Sequence, residues 1–324
     1  MEHQPVKPWL SHLPDERSLA GGITSVLATA GFAGATIIQR QRNPHASTFP
    51  SEAVTCRLND GTELKLFCKY ETGRDNRANG HRGGVAYEAE VYRRVLAPFE
   101  LGVPRFYGAA PVGSGGETWL ILGCVEPAVR LRDSHHIRDW ERAASWSGRC
   151  HTQHLGADAT SCFISRYAPD YYIGWARRTM QYAAAVKADF PWLEDLCRRC
   201  EPALAELAQV PQMVIHGEYY AKNLLISDGE VYPVDWESAA VAPGEIDLAT
   251  LTDACEADVV ARCERAYQVA RWPAGAPPHF TRTLDLARLY VHLRWLGDDP
   301  GRKLRRRLWR YQVLRTLGER LRLL

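Results

Sequence analysis

Alternation of apolar and polar residues fills the first part of this chain and then stops. ATIIQRQR (35–42) and EAVTCRLNDGTELKLFCKYE (52–71) are rich in β-branched and alternating positions, the pattern of half-buried strands. Asn59-Asp60-Gly61 divides the second stretch. Asp-Gly supplies the φ > 0 backbone that a tight turn requires, so a hairpin is expected there. A polar loop over 74–84, a helix over 86–97 and an apolar strand over WLILGCVE (119–126) follow. From residue 136 the spacing becomes helical, over 136–154, 171–188, 191–208, 246–271 and 281–296. Strand-like MVIHG (213–217), LLIS (224–227) and EVYPVDW (230–236) interrupt it. Strands first and helices later predict an α+β chain with two lobes. The expected division is a β-rich lobe with one helix over 1–126 and a larger helical lobe over 127–324. Residues 1–20 read as an irregular lead-in or a short helix.

Composition narrows the class. Of 324 residues, 46% are hydrophobic and 24% charged, which is globular composition and excludes a disordered chain. No apolar run reaches the roughly 18–20 residues that span a bilayer. MEHQPVKPWLSHLPDERS lacks the continuous apolar region of a secretory signal. Nine cysteines scattered without a framework fit a reducing compartment, so a cytoplasmic protein is expected. The net charge of +2 hides an asymmetry: residues 127–300 carry 18 basic and 24 acidic side chains, and 301–324 carry 9 and 1. A chain that is acidic in its body is not a uniformly basic nucleic-acid binder.

The chemistry is concentrated in VIHGEYYAKNLLISDGEVYPVDWESAAVAPGEIDLATLTD (214–253). His216, Glu218, Asn223, Asp235 and Asp247 fall on loops that flank short apolar strands. Carboxylates and an amide at buried strand ends are costly unless they hold something. A carboxylate with an Asn carbonyl is a hard-oxygen pair suited to Mg²⁺ and a phosphate. A second carboxylate five residues before the Asn can orient a hydroxyl or accept its proton.

This order, His-x-Glu-x-x-x-x-Asn, then Asp-Trp, then Gly-x-x-Asp-Leu-Ala, resembles the aminoglycoside phosphotransferase/choline kinase-like family, which has a bilobal protein-kinase-like fold and an HxDxxxxN catalytic loop. The resemblance implies ATP or another nucleoside triphosphate as donor, with Asn223 and Asp235 holding Mg²⁺. It implies that Glu218 stands where the family has its catalytic Asp, with His216 a structural member of the loop and Asp247 bracing it. The departure is Glu for Asp at 218, one methylene longer. Phosphoryl transfer depends mainly on positioning and charge neutralisation, so Glu can serve. The change also sustains a second reading, a catalytically silent kinase-like protein that binds a nucleotide or a partner.

A kinase-like first lobe needs a strand Lys and a helix Glu to hold it. LKLFCKYE offers Lys65 and Lys69. Lys69 lies deeper in the apolar run and is the expected phosphate ligand. AYEAEVYRRVLA offers Glu88 and Glu90. Glu88 shares a helix face with Val91, Tyr92 and Val95, while Glu90 is explained by Arg93 and Arg94. Lys69 is therefore paired with Glu88. No GxGxxG is present; Ser47, Thr48 and Ser51 in the loop NPHASTFPSE are the candidate phosphate donors, and the adenine is expected near Cys124, Val125 and Glu126.

Cys197-Arg-Arg-Cys200 is a lone pair within a helical pattern and is read as structural. His151 and His154 are read as the polar edge of a core-facing helix. Leu304, Leu308, Tyr311, Leu314, Leu317, Leu321 and Leu324 form one stripe, read as a closing helix. The functional expectation is a kinase for the hydroxyl of a small molecule. Because acids are in excess over 127–300 and Tyr171, Tyr172, Trp175, Tyr219 and Tyr220 lie nearby in sequence, that acceptor is expected to be cationic or neutral.

Overall fold

The computed structural model describes residues 13–46, 48–72, 78–98, 101–112, 117–153, 163–298 and 308–324. Two compact units make up the chain, Met1–Val129 with Leu225–Ser238, and Arg130–Leu224 with Ala239–Leu324.

The first unit is built on a five-stranded antiparallel sheet of β1 (Ala35–Arg42), β2 (Ser51–Leu58), β3 (Glu63–Tyr70), β4 (Phe106–Val112) and β5 (Glu117–Gly123), in the order β1-β2-β3-β5-β4. The Asp-Gly hairpin forms between β2 and β3: Gly61 takes φ +87°, and Leu58 N donates to Thr62 O at 2.8 Å. The lead-in becomes a helix, α1 (Glu16–Thr29), capped by Asp15 Oδ1, which accepts from Ser18 N at 2.9 Å. It buries Leu19, Ile23, Val26 and Leu27 against Val54, Cys56, Leu66, Cys68, Trp119 and Ile121. Two glycines permit that approach. A Cβ at Gly22 would lie 2.9 Å from the Trp119 ring, and one at Gly108 would lie 2.9 Å from Val26. α2 (Gly84–Val91) continues through a wider turn over Tyr92–Leu96. The hairpin strands Leu224–Ser227 and Glu230–Pro233 pair with each other, and Leu225–Ser238 belongs to this unit.

Helices dominate the second unit: α3 (Ile137–Gln153), α4 (Pro169–Ala183), α5 (Leu193–Arg199), α6 (Glu201–Ala205), α7 (Glu245–Leu251), α8 (Ala257–Arg271), α9 (Phe280–Asp298) and α10 (Trp309–Arg320). α9 is the hub, packing against α4, α7 and α10, and from Thr283 to Gly297 every residue but Arg288 and Trp295 is buried, as a central helix requires. The helix expected over 246–271 is two helices. Between them Ala254 adopts φ +64°, and Thr252 Oγ1 turns back to Leu248 O at 2.8 Å, which ends α7. The helical stretch 191–208 is broken where Pro202 opens α6. The terminal stripe closes on this unit through Tyr311, Leu314 and Leu317, all buried; Leu304 and His154 lie outside the described residues.

Among the described residues no helix is long and apolar enough to cross a membrane. The described cysteines are free thiols. Cys197 and Cys200 are buried in helical backbone, with Cys200 Sγ donating to Cys197 O at 3.3 Å.

Candidate active site

In the first unit, β3 carries Lys69 inward to 7% exposure, and α2 carries Glu88. Lys69 Nζ donates to Glu88 Oε2 at 2.7 Å and to Asp235 Oδ1 at 2.5 Å. Glu237 Oε2 lies 3.8 Å from the same ammonium and also faces Arg82 Nε, at 3.3 Å from its Oε1. Glu88 Oε1 accepts from Trp236 N at 3.1 Å, and Gly83 N donates to Glu237 O at 2.8 Å. Asp235 itself sits at φ +72°, a strained conformation for a non-glycine residue. The alternatives separate cleanly: Lys65 is exposed and pairs with Glu126, and Glu90 pairs with Arg93 and Arg94.

Two cations thus face three carboxylates. Burial works against the Lys69 charge, but Asp235, Glu88 and Glu237 outweigh it and hold the ammonium well above its ordinary pKa. Burial pushes the Glu237 carboxyl up to about 8, against the pull of Lys69. No group of three or more His, Cys, Asp or Glu side chains arranged for a metal occurs among the described residues. Lys69→Met removes the cation these acids share and is expected to destabilise the fold by about 3–5 kcal/mol, read as a lower urea midpoint at unchanged slope.

Ser51 opens β2 directly opposite Lys69 in the sheet register, and its Oγ accepts from Asn43 Nδ2 at 3.0 Å. Ser47 lies outside the described residues. Cys124 N donates to Lys65 O at 2.9 Å, and Glu126 is half exposed with its carboxylate turned to Lys65.

In the second unit the strand Met213–Ile215 ends in a turn that Gly217 makes at φ +79°. That turn points two backbone donors at Asp247 in the first turn of α7: His216 N reaches Oδ2 at 2.7 Å and Gly217 N reaches Oδ1 at 2.9 Å. His151 Nε2 lies 3.2 Å from the same Oδ2, and its Nδ1 3.0 Å from Tyr267 OH. Burial holds the His151 pKa below its ordinary value despite Asp247, so the imidazole is neutral and its one ring proton serves one of these partners. Asp247→Ala would leave two buried backbone donors, His216 N and Gly217 N, unpaired. It is expected to cost at least about 2 kcal/mol, seen by urea denaturation.

The loop then places Glu218, whose carboxylate is buried and lies 3.6 Å from Arg294 Nη1 of α9. Asn223 Nδ2 donates to Glu218 O at 3.0 Å. This fixes the amide so that its oxygen is the atom left to act as a hard ligand. The sequence reading missed Arg294, Arg82 and the link from His151 to Asp247. An arginine inside Leu289–Leu296, an otherwise mostly apolar run, is the signal that could have found the first, since such a charge needs a partner.

A sequence model of the phosphotransferase enzyme family matches residues 74–278. The chain belongs to that family. Its fold agrees with solved structures of kinase-like phosphotransferases. Choline kinase LicA from Streptococcus pneumoniae shares 14% identity over 95% of this chain and 98% of that one, with a TM-score of 0.58. Macrolide 2'-phosphotransferase MphH from Brachybacterium faecium shares 19% over 90% and 97%, at 0.53. An ADP-bound aminoglycoside phosphotransferase shares 13% over 88% and 95%, at 0.56. Comparison with curated proteins finds no match. The phosphotransferase family and the kinase-like fold of a β-sheet lobe and a helical lobe are therefore the ones the sequence predicted.

Proposed function

We propose that this phosphotransferase-family protein is an ATP- and Mg²⁺-dependent kinase that phosphorylates a hydroxyl of a small molecule such as an aminoglycoside-like antibiotic, an amino-alcohol or a sugar. The observation that carries the reading is Lys69 Nζ held between Glu88 and Asp235 in a buried acidic cluster. An ammonium fixed in this way is suited to nucleotide phosphates. In this reading Lys69 binds the phosphates and Glu88 orients it. Ser47 and Ser51 offer hydroxyls to phosphate oxygens, and the backbone near Glu126 takes the base.

Asp235 and Asn223 would hold the metal, which supplies neutralisation of the phosphate charge. Glu218 would orient the acceptor hydroxyl and take its proton as the new P–O bond forms. His216 and Asp247 keep the loop in shape. The acceptor is cationic or neutral, the setting is cytoplasmic, and no nucleic acid takes part. ATP consumption across a panel of hydroxyl-bearing metabolites and antibiotics tests the assignment. Turnover with any of them supports it. Nucleotide binding with no turnover across the panel favours the silent kinase-like alternative.

A further inference from the structure

The notable feature of the second unit is the buried cation beside Glu218. Arg294 is 5% exposed, in the part of α9 that is buried on nearly every side. Its Nη2 donates to Tyr220 OH at 2.8 Å, while the contact of Nη1 with Glu218 Oε1, at 3.6 Å, is too long for a hydrogen bond. Its Nε has no hydrogen-bond partner among the described residues. A guanidinium so loosely satisfied contributes little to stability, and an apolar side chain of similar volume would serve the core as well. Its value lies in the charge it places next to the carboxylate.

The surroundings define what that charge acts on. Arg294 acts electrostatically on the hydroxyls of Tyr220, Tyr290 and Tyr171. Tyr171 OH and Tyr290 OH are 3.1 Å apart, and the Tyr171 ring stacks on Tyr167 at 3.8 Å. Tyr171 and Tyr220 remain half-buried. Lys222 Nζ sits 5.7 Å from the centre of the Tyr220 ring, which adds a second cation. The acids that could have made this region negative are engaged elsewhere. Glu245 faces Arg271 at 3.4 Å, and Asp253 holds Arg310 at 2.6 Å. Among the described residues, Arg294 thus sets a positive charge beside the Glu218 carboxylate, which offsets its pull on an ammonium.

We propose that Arg294 selects the acceptor, admitting a neutral, hydroxyl-rich molecule and turning away one with an ammonium near the reacting hydroxyl. The inference rests on the kinase reading with Glu218 at that hydroxyl. Like-charge repulsion from a desolvated guanidinium discriminates against a cation. The tyrosine hydroxyls and ring faces suit the hydroxyls and C–H faces of a sugar or polyol.

The test uses the full chain with ATP·Mg²⁺ and matched acceptors, hexoses and polyols against their amino counterparts, together with choline and ethanolamine. In the native protein kcat/KM should favour the neutral member of each pair by on the order of tenfold or more. Arg294→Gln should erase that preference, mainly through a lower KM for the amine. Arg294→Lys, which keeps the charge, should retain it, whereas a purely structural role predicts that both variants fail alike. A native preference for the ammonium member overturns the inference and leaves the kinase reading standing. So does a preference unchanged in Arg294→Gln. No turnover of either class, with no ATP hydrolysis, overturns the kinase reading and this inference with it.

Discussion

Asp235→Asn is expected to abolish turnover while leaving the fold intact. The substitution keeps shape and removes one negative charge from a cluster that has three carboxylates and two cations. Lys69 retains Glu88 at 2.7 Å and Glu237 at 3.8 Å, so no buried charge is stranded. The urea midpoint should hold or rise slightly. Function has no such reserve. With Asn223 already supplying a neutral amide oxygen, a second amide at 235 leaves the metal without the carboxylate charge that holds it, and neutralising the phosphate charge is the main work of phosphoryl transfer. Turnover should fall by at least on the order of 10³-fold, without rescue by excess Mg²⁺. Metal-free nucleotide binding, measured calorimetrically in chelator, should change little. Near-normal turnover in this variant would remove the proposed mechanism.

The contrast between what the chain announces and what it conceals has physical causes. The hairpin at Asn59–Gly61 and the helices α3 and α9 are written in local signals, turn chemistry and helical spacing, so they are legible. α1 is not, because Gly21-Gly22 weakens the helical signal, and Gly22 serves close approach to the Trp119 ring of the sheet. β4 reads Gly-Ala-Ala-Pro through its middle, which has little β-propensity; it is a strand because its neighbours bury it. The end of α7 was hidden in a sequence that stays helical in composition across 252–256.

The site divides in the same way. Glu218, Asn223, Asp235 and Asp247 stand at fixed spacings in one stretch, so a reader of sequence can gather them. The approach of Lys69 to Asp235 joins residues 166 apart in the chain. No local rule predicts which of several acids will meet a given lysine. Arg294 is harder to single out: its helix carries three arginines, Arg282, Arg288 and Arg294, and only the fold shows which of them is buried.

Glu218→Gln carries the other large effect. Gln fills the same volume and can still accept a hydrogen bond, but it has no charge and no useful basicity. If Glu218 orients the acceptor hydroxyl and takes its proton, kcat should drop by on the order of 10²-fold or more, with the KM for ATP maintained. Arg294 loses its carboxylate in this variant, so some stability should go as well; kcat must be measured well below the unfolding midpoint. Glu218→Asp separates the chemistry from the geometry. It restores the charge on an arm one methylene shorter. The carboxylate now stands 3.6 Å from Arg294 Nη1, and a shorter arm carries it away from the guanidinium and from wherever the longer arm delivers it. Glu218→Asp is therefore expected to recover only part of the rate, although Asp is the residue typical of the family's loop. Parental rates in both variants would make Glu218 a bystander. That result would favour a protein that binds a nucleotide without transferring its phosphate.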